Sequence, residues 1–203
     1  MHESLVKLPG QRLALDEYYQ DYETRFWQLK DSGTWKIERQ QEFNEPGQSS
    51  WEAFSRGDWS GALKILEKMR PALVKYFQRV AEQGSRCRRV RVVEEPISPY
   101  LVWELNGLLI RQQCGEQVRV VGREQVEAFE REDSLPEILI LGTETVYQVL
   151  YGENGAPDGS IRSTDGQIVA QWTQVAEELY ESGEELKDFF ARKVSVLRPP
   201  GGM

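Results

Sequence analysis

Three features of the sequence predict a single α+β domain: amphipathic helical patterns near both ends, one apolar helix in the middle, and several alternating segments with turn residues between them. The expected architecture is a mostly antiparallel sheet of about five to six strands, packed on a buried central helix and flanked by N- and C-terminal helices. At 203 residues the chain can bury about 70% of its unfolded surface around one core, so it needs no disulfide or metal to fold. The domain is expected over residues 8–196, with 1–7 and 197–203 as flexible termini.

Leu13 to Lys30 reads as the first helix, with Leu15, Tyr18, Tyr19, Tyr22, Phe26 and Leu29 at three- and four-residue steps. Thr34 to Phe43 then alternates, Trp35, Ile37 and Arg39 against Lys36, Glu38 and Gln40, as a strand does. Glu45 to Ser50 has the Pro, Gly and Ser content of a loop. From Trp51 the pattern is helical, with Asp58 as an N-cap and Pro71 as a kink or restart. Gly84 closes that helix, and Cys87 to Val93 is a strand with Val90 and Val92 on one face and Arg89 and Arg91 on the other.

Ser98 followed by Pro99 starts the central helix, a hydroxyl cap before a residue whose missing N–H costs nothing there. The helix runs to about Gln113 and ends at Gly115. Glu116 to Val121 is a short strand with Arg119 opposite Val118 and Val120, and Arg123 to Arg131 a short charged helix. Glu137 to Leu141 and Thr145 to Tyr151 are strands, Gly152 to Gly159 is a hairpin loop, and Ser160 to Ser163 and Gln167 to Gln171 are expected to extend the sheet. A final helix spans about Thr173 to Lys193.

Composition narrows the chemistry. The net charge of −8 disfavours direct nucleic-acid binding, because that affinity comes largely from Lys and Arg displacing counterions. No apolar run approaches the roughly 18 residues of a membrane span, and Met1 to Lys7 lacks the plan of a secretory signal, so a cytoplasmic location is expected. Cys87 and Cys114 lack the close spacing of a redox or zinc pair and read as free thiols. The sole histidine, His2, is near the N-terminus, which removes histidine-based triads and zinc sites. No cofactor or metal is expected: phosphate-cradling and dinucleotide motifs are missing, and Glu153, Asn154, Asp158 and Asp165 have the wrong spacing for calcium.

One constellation stands out. On the central helix, Tyr100, Glu104, Gly107 and Arg111 recur at steps of four, three and four, a polar stripe among Leu101, Val102, Trp103, Leu105 and Leu108. The strand before it carries Arg89 and Arg91, and the strand after it Arg119. If the two strands pair, these three can share a face and, with Arg111, bind a phosphate or carboxylate bidentately. Three readings stay open: a partly buried ion network of Glu104 with the arginines, an anion or nucleotide-like ligand site, or a protein-binding surface. Trp51 and Trp59, set among polar residues, are either a partly buried helix face or part of a partner surface.

The segment Arg89-Val90-Arg91-Val92-Val93-Glu94-Glu95-Pro96-Ile97-Ser98-Pro99-Tyr100-Leu101-Val102-Trp103-Glu104-Leu105 resembles the central motif of an actinobacterial domain-of-unknown-function family, number six-eight-seven-nine. Trp35 to Arg39, Trp51 to Phe54 and Gly115 to Arg119 are similar to its flanking segments, and the likeness covers roughly residues 15 to 185. Leu139 to Glu144 departs from it, since members usually carry aromatics and two acids there. The resemblance implies an α+β domain, often encoded beside helix-turn-helix regulators.

Two functions follow as expectations. The first is a non-enzymatic accessory or regulatory protein that binds a protein partner, with a helix-turn-helix DNA-binding regulator as the first candidate and no contact with nucleic acid or membrane of its own. An acidic chain complements a basic partner and speeds its association. The alternative is a hydrolase or transferase on a phosphorylated or nucleotide-like substrate, with Arg89, Arg91, Arg119 and Arg111 as anion-binding groups, Glu104 as catalytic acid/base and Tyr100 as an orienting hydroxyl.

Overall fold

The computed structural model describes residues 8–130 and 133–197. Of the expected flexible segments 1–7 and 197–203, all but Leu197 lies outside the described residues, His2 included, as does Arg131 at the end of the expected charged helix. Among the described residues the strands form one eight-stranded mixed sheet in the order β1-β7-β6-β5-β2-β3-β4-β8. The strands are β1 (Gln11–Leu13), β2 (Gly33–Glu38), β3 (Arg86–Val92), β4 (Gln117–Val121), β5 (Glu137–Leu141), β6 (Thr145–Tyr151), β7 (Pro157–Ser163) and β8 (Glu184–Glu185). The helices are α1 (Leu15–Phe26), α2 (Ser49–Ser55), α3 (Trp59–Lys68), α4 (Arg70–Glu82), α5 (Pro99–Cys114), α6 (Arg123–Val126), α7 (Gly166–Ser182) and α8 (Leu186–Phe189), followed by a π-helical turn, Phe190–Val194.

The sheet is larger than expected and less antiparallel. β2, β3 and β4 run parallel, and antiparallel pairing is confined to the two flanks. The reason lies in the connections: β2 reaches β3 through α2, α3 and α4, and β3 reaches β4 through α5. Such helical crossovers return the chain to the same end of the sheet, as parallel neighbours require. The additional strands are the short edges β1 and β8, too brief to show a two-residue period in sequence.

Several caps act as the sequence indicates. The Asp58 side chain accepts from the Gly61 N–H, and Pro71 restarts the chain as α4 at its first turn. Ser98 Oγ accepts from the Leu101 N–H at 3.2 Å, setting the start of α5 beneath the sheet. Gly115 ends α5 at φ 129°, and a Cβ there would sit 2.9 Å from Phe77 Cβ, so both its backbone and its position demand glycine.

Two expectations at the C-terminal end are corrected. Residues 167–171 are helical, not strand, because the Asp165 carboxylate accepts from the Gln167 and Ile168 N–H groups and caps α7. The single helix expected over Thr173 to Lys193 is interrupted at Gly183, where β8 pairs with β4 before α8 begins.

The two faces of the sheet bury different chemistry. Trp35, Ile37, Val90, Val92, Val121, Ile138, Ile140 and Val146 pack under α7 through Val169, Trp172, Val175, Ala176 and Leu179. The opposite face meets α1, α4 and α5, and there central strands alternate charged side chains with the buried Val118, Val120, Leu139 and Tyr147. Because β2 and β3 are interior strands, both of their faces are covered, and charged residues on the second face must find partners inside the protein.

Candidate functional site

The register of β2, β3 and β4 fixes which charges meet. Lys36 pairs with Arg89 and Glu38 with Arg91, so these four side chains leave the sheet on the α5 side. Arg89 pairs with Val118 and Val90 with Arg119. Arg119 therefore points to the α7 side, which corrects the expectation that it joins Arg89 and Arg91. There it donates to the Gly183 carbonyl and Glu185, both at 3.0 Å, and lies over the Tyr180 ring.

Arg89 and Arg91 are buried and occupied. Arg89 bonds Glu38 at 2.6 Å through one terminal nitrogen and Glu116 Oε1 at 2.9 Å through Nε. Arg91, with no exposed surface, donates through Nε to Glu104 Oε2 at 2.7 Å and through NH1 to the carbonyls of Glu38 and Val92. Arg89 spends all three nitrogens on Glu38 and Glu116, and Arg91 spends two on Glu104 and backbone carbonyls, the arrangement of the ion-network reading.

The charges continue in a line from Lys36 to Glu38, Arg89, Glu116 and Arg111. Lys36 Nζ lies 2.5 Å from Glu38 Oε1, and Arg111 Nε donates to Glu116 Oε2. Burial alone would raise the Glu38 and Glu116 carboxyls, but the flanking cations overcome it and hold both below the usual carboxylate range. The same carboxylates lift Arg89 well above its ordinary value, against the effect of burial.

Over this floor opens a cleft of about 410 Å³. The sheet contributes Lys36, Glu38, Arg89 and Leu139, α5 contributes Glu104, Gly107, Leu108 and Arg111, and α1 supplies a wall of Tyr18, Tyr19 and Tyr22. Met69 and Leu73 complete the opposite rim. Gly107 is functional in packing: a Cβ there would press on Leu66 at 3.3 Å, where α3 crosses α5. Three of the four stripe residues thus line the cleft. The fourth, Tyr100, is buried beside it and donates to Glu45 Oε1 at 2.6 Å, while Glu45 itself reaches the lining.

Glu104 is the acid of the lining whose carboxyl is raised most. Burial, aided by repulsion from Glu38, outweighs the attraction of Arg91 and pushes its carboxyl up to about 7. Its Oε1 has no hydrogen-bond partner among the described residues, and its side chain is 11% exposed. Glu137, deeper on the same face, is also pushed to about 7 by burial although it accepts from the Arg39 and Gln40 N–H groups.

Trp51 and Trp59 are half-buried and pack on the cluster around α5, Trp59 edge-on to Phe54, which stacks on Trp103. They form a partly buried helix face. Lys36, Glu38, Glu45, Glu116 and the α1 tyrosines were not singled out by sequence. The one usable signal was the alternation of Lys36 and Glu38 with Trp35 and Ile37, which places two opposite charges together on one face of a strand.

Among the described residues no group of His, Cys, Asp and Glu is arranged to hold a metal ion, and no helix is long and apolar enough to cross a membrane. No curated protein matches the chain. Solved structures similar to it include TrmBL2, an archaeal chromatin protein described as showing a novel mode of DNA binding. That likeness has a TM-score of 0.41 and 11% identity, covering 89% of this chain and 56% of that one. A family model described as a domain of unknown function (DUF6879) matches residues 20–191, and the chain belongs to that family.

Proposed function

We propose that this is a non-enzymatic accessory or regulatory protein that acts by binding another protein, and that the rim of the cleft is its binding face. The observation that carries the reading is the placement of exposed large apolar side chains. Tyr19 on α1 is 50% exposed, Met69 before α4 is 42% and Val74 on α4 is 45%. Tyr19 and Met69 line the cleft, whereas Val74 lines a second hollow between α4 and the start of β3. Apolar groups rimming a hollow are a common mark of association surfaces.

The resemblance makes a helix-turn-helix regulator the first partner to test, and a charge of −8 complements a basic DNA-binding surface. A cytoplasmic location belongs with this reading. The test is recovery of partners from native lysate by the wild type, by Y19D/M69D, and by E177K on the exposed side of α7. A partner held by the wild type and E177K but lost with Y19D/M69D supports the proposal. Equal recovery with all three, or no protein partner at low and moderate salt, overturns it.

A second reading, a hydrolase or transferase on a phosphorylated or nucleotide-like substrate, draws its support from Glu104, an acid poised near neutral pH at the cleft wall. Its anion clamp would have to be Arg111 rather than Arg89, Arg91 or Arg119. Turnover of a phosphate ester abolished by E104Q, with the fold retained, would favour it over the binding reading.

A further inference from the structure

The line of charges across the cleft floor contains three cations, Lys36, Arg89 and Arg111, and two carboxylates, Glu38 and Glu116. Its interior is saturated: Arg89 faces a carboxylate on each side, and each carboxylate lies between two cations. Its two ends are cations. Lys36 uses one of its three donors on Glu38, and Arg111 uses Nε on Glu116, leaving its terminal nitrogens without a hydrogen-bond partner among the described residues. Both end side chains are 31% exposed and both line the cleft. The line by itself therefore counts one more cation than carboxylate, and its cationic ends face a hollow.

We propose that the cleft binds a small organic carboxylate with an apolar or aromatic body, its carboxylate held by Lys36 or Arg111 at an open end of this line. A monovalent anion matches the extra cation of the line, and both cations form charge-assisted bonds to carboxylate oxygens. The body is received by the tyrosine wall of α1 and by Leu66, Leu73 and Leu108. The volume of about 410 Å³ lies within the range of roughly 300–1,000 Å³ typical of small-molecule sites. Of the two other acids in the lining, Glu104 is paired with Arg91, and Glu45 is held by the Tyr100 hydroxyl on the side of Tyr100, so the carboxylate has to seat away from Glu45. The inference does not depend on a protein partner.

The arrangement also permits clean variants. Removing Lys36 leaves Glu38 with Arg89, and removing Arg111 leaves Glu116 with Arg89, so neither substitution strands a buried carboxylate. The experiment is calorimetric titration of the full chain with 3-phenylpropionate, its neutral amide and 3-phenylpropylamine as probes, followed by K36M, R111M and the double variant. The expected result is binding of the acid at least about tenfold tighter than of the amide or amine, and a loss of about tenfold in at least one single variant. The amide's weaker binding should stay unchanged in that variant. Equal affinity for acid and amide, tighter binding of the amine, unchanged affinity in both single variants, or no binding of the acid at about 10 mM each overturns the proposal. If the double variant fails to fold, the two single variants decide.

Discussion

Replacing Arg91 with methionine probes the sealed part of the charge network. The guanidinium is fully buried, and its Nε lies 2.7 Å from Glu104 Oε2. Methionine keeps much of the volume but leaves Glu104 without its cation and with Glu38 nearby. Breaking a buried pair from one side typically costs about 3–5 kcal/mol. Two details place the loss toward the lower end. The Val92 carbonyl keeps its bond from Gln41, and Arg91 NH2 already lacks a partner, so the variant removes one unsatisfied donor. The cost is tied to ionised Glu104, whose carboxyl sits near 7 in the wild type and rises further without Arg91. Urea unfolding followed by tryptophan fluorescence should show a loss of about 3 kcal/mol at pH 8, smaller by about 1.4 kcal/mol at pH 5.5, where Glu104 is protonated in both proteins. R91M/E104Q should recover most of the loss at pH 8. A cost below about 1 kcal/mol at pH 8, or one that is the same at both pH values, would refute the reasoning.

The wild type should itself be more stable near pH 5 than at pH 8. Glu104 and Glu137 both have folded values near 7 against an ordinary 4.5, so the folded state holds more protons across that window and stability falls as pH rises through it. Glu38 and Glu116 act with the opposite sign, their contribution being lost as pH falls below about 4.5, so denaturation midpoints should pass through a maximum close to pH 5. A profile still rising between pH 6 and 8 would contradict this assignment. W59A should lower stability by about 2 kcal/mol, through lost packing on Phe54, while leaving partner recovery unchanged; loss of the partner at unchanged stability would return Trp59 to the binding face.

Local signals are legible in the sequence and non-local ones are not. Ser98, Asp58, Pro71 and Gly115 announce their roles because a cap or break depends on the neighbouring few residues. The polar stripe of α5 was likewise visible, since Glu104, Gly107 and Arg111 are related by the helix repeat alone. Arg119 shows the limit. Its parity within β4 is plain in sequence, but whether it faces Arg89 depends on register between strands, and a shift of one residue reverses the answer. Glu38 and Glu116 were missed for the same cause: each is an ordinary surface acid in sequence and becomes a bridge between arginines only once β2, β3 and the end of α5 are adjacent. The eight-stranded order is equally absent from local pattern, because β1 and β8 are paired by distant segments.

Four arginines divide by environment: Arg91 is sealed, Arg119 lies on the far face, Arg89 is held between two carboxylates, and Arg111 is open to the cleft. Nitrogen-15 spectra of the arginine side chains, recorded while 3-phenylpropionate is added to the full chain, test that division directly. Binding at the Arg111 end should move the Arg111 signal with saturation while those of Arg91 and Arg119 hold their positions. Movement of Arg91 or Arg119 with Arg111 stationary would contradict the division.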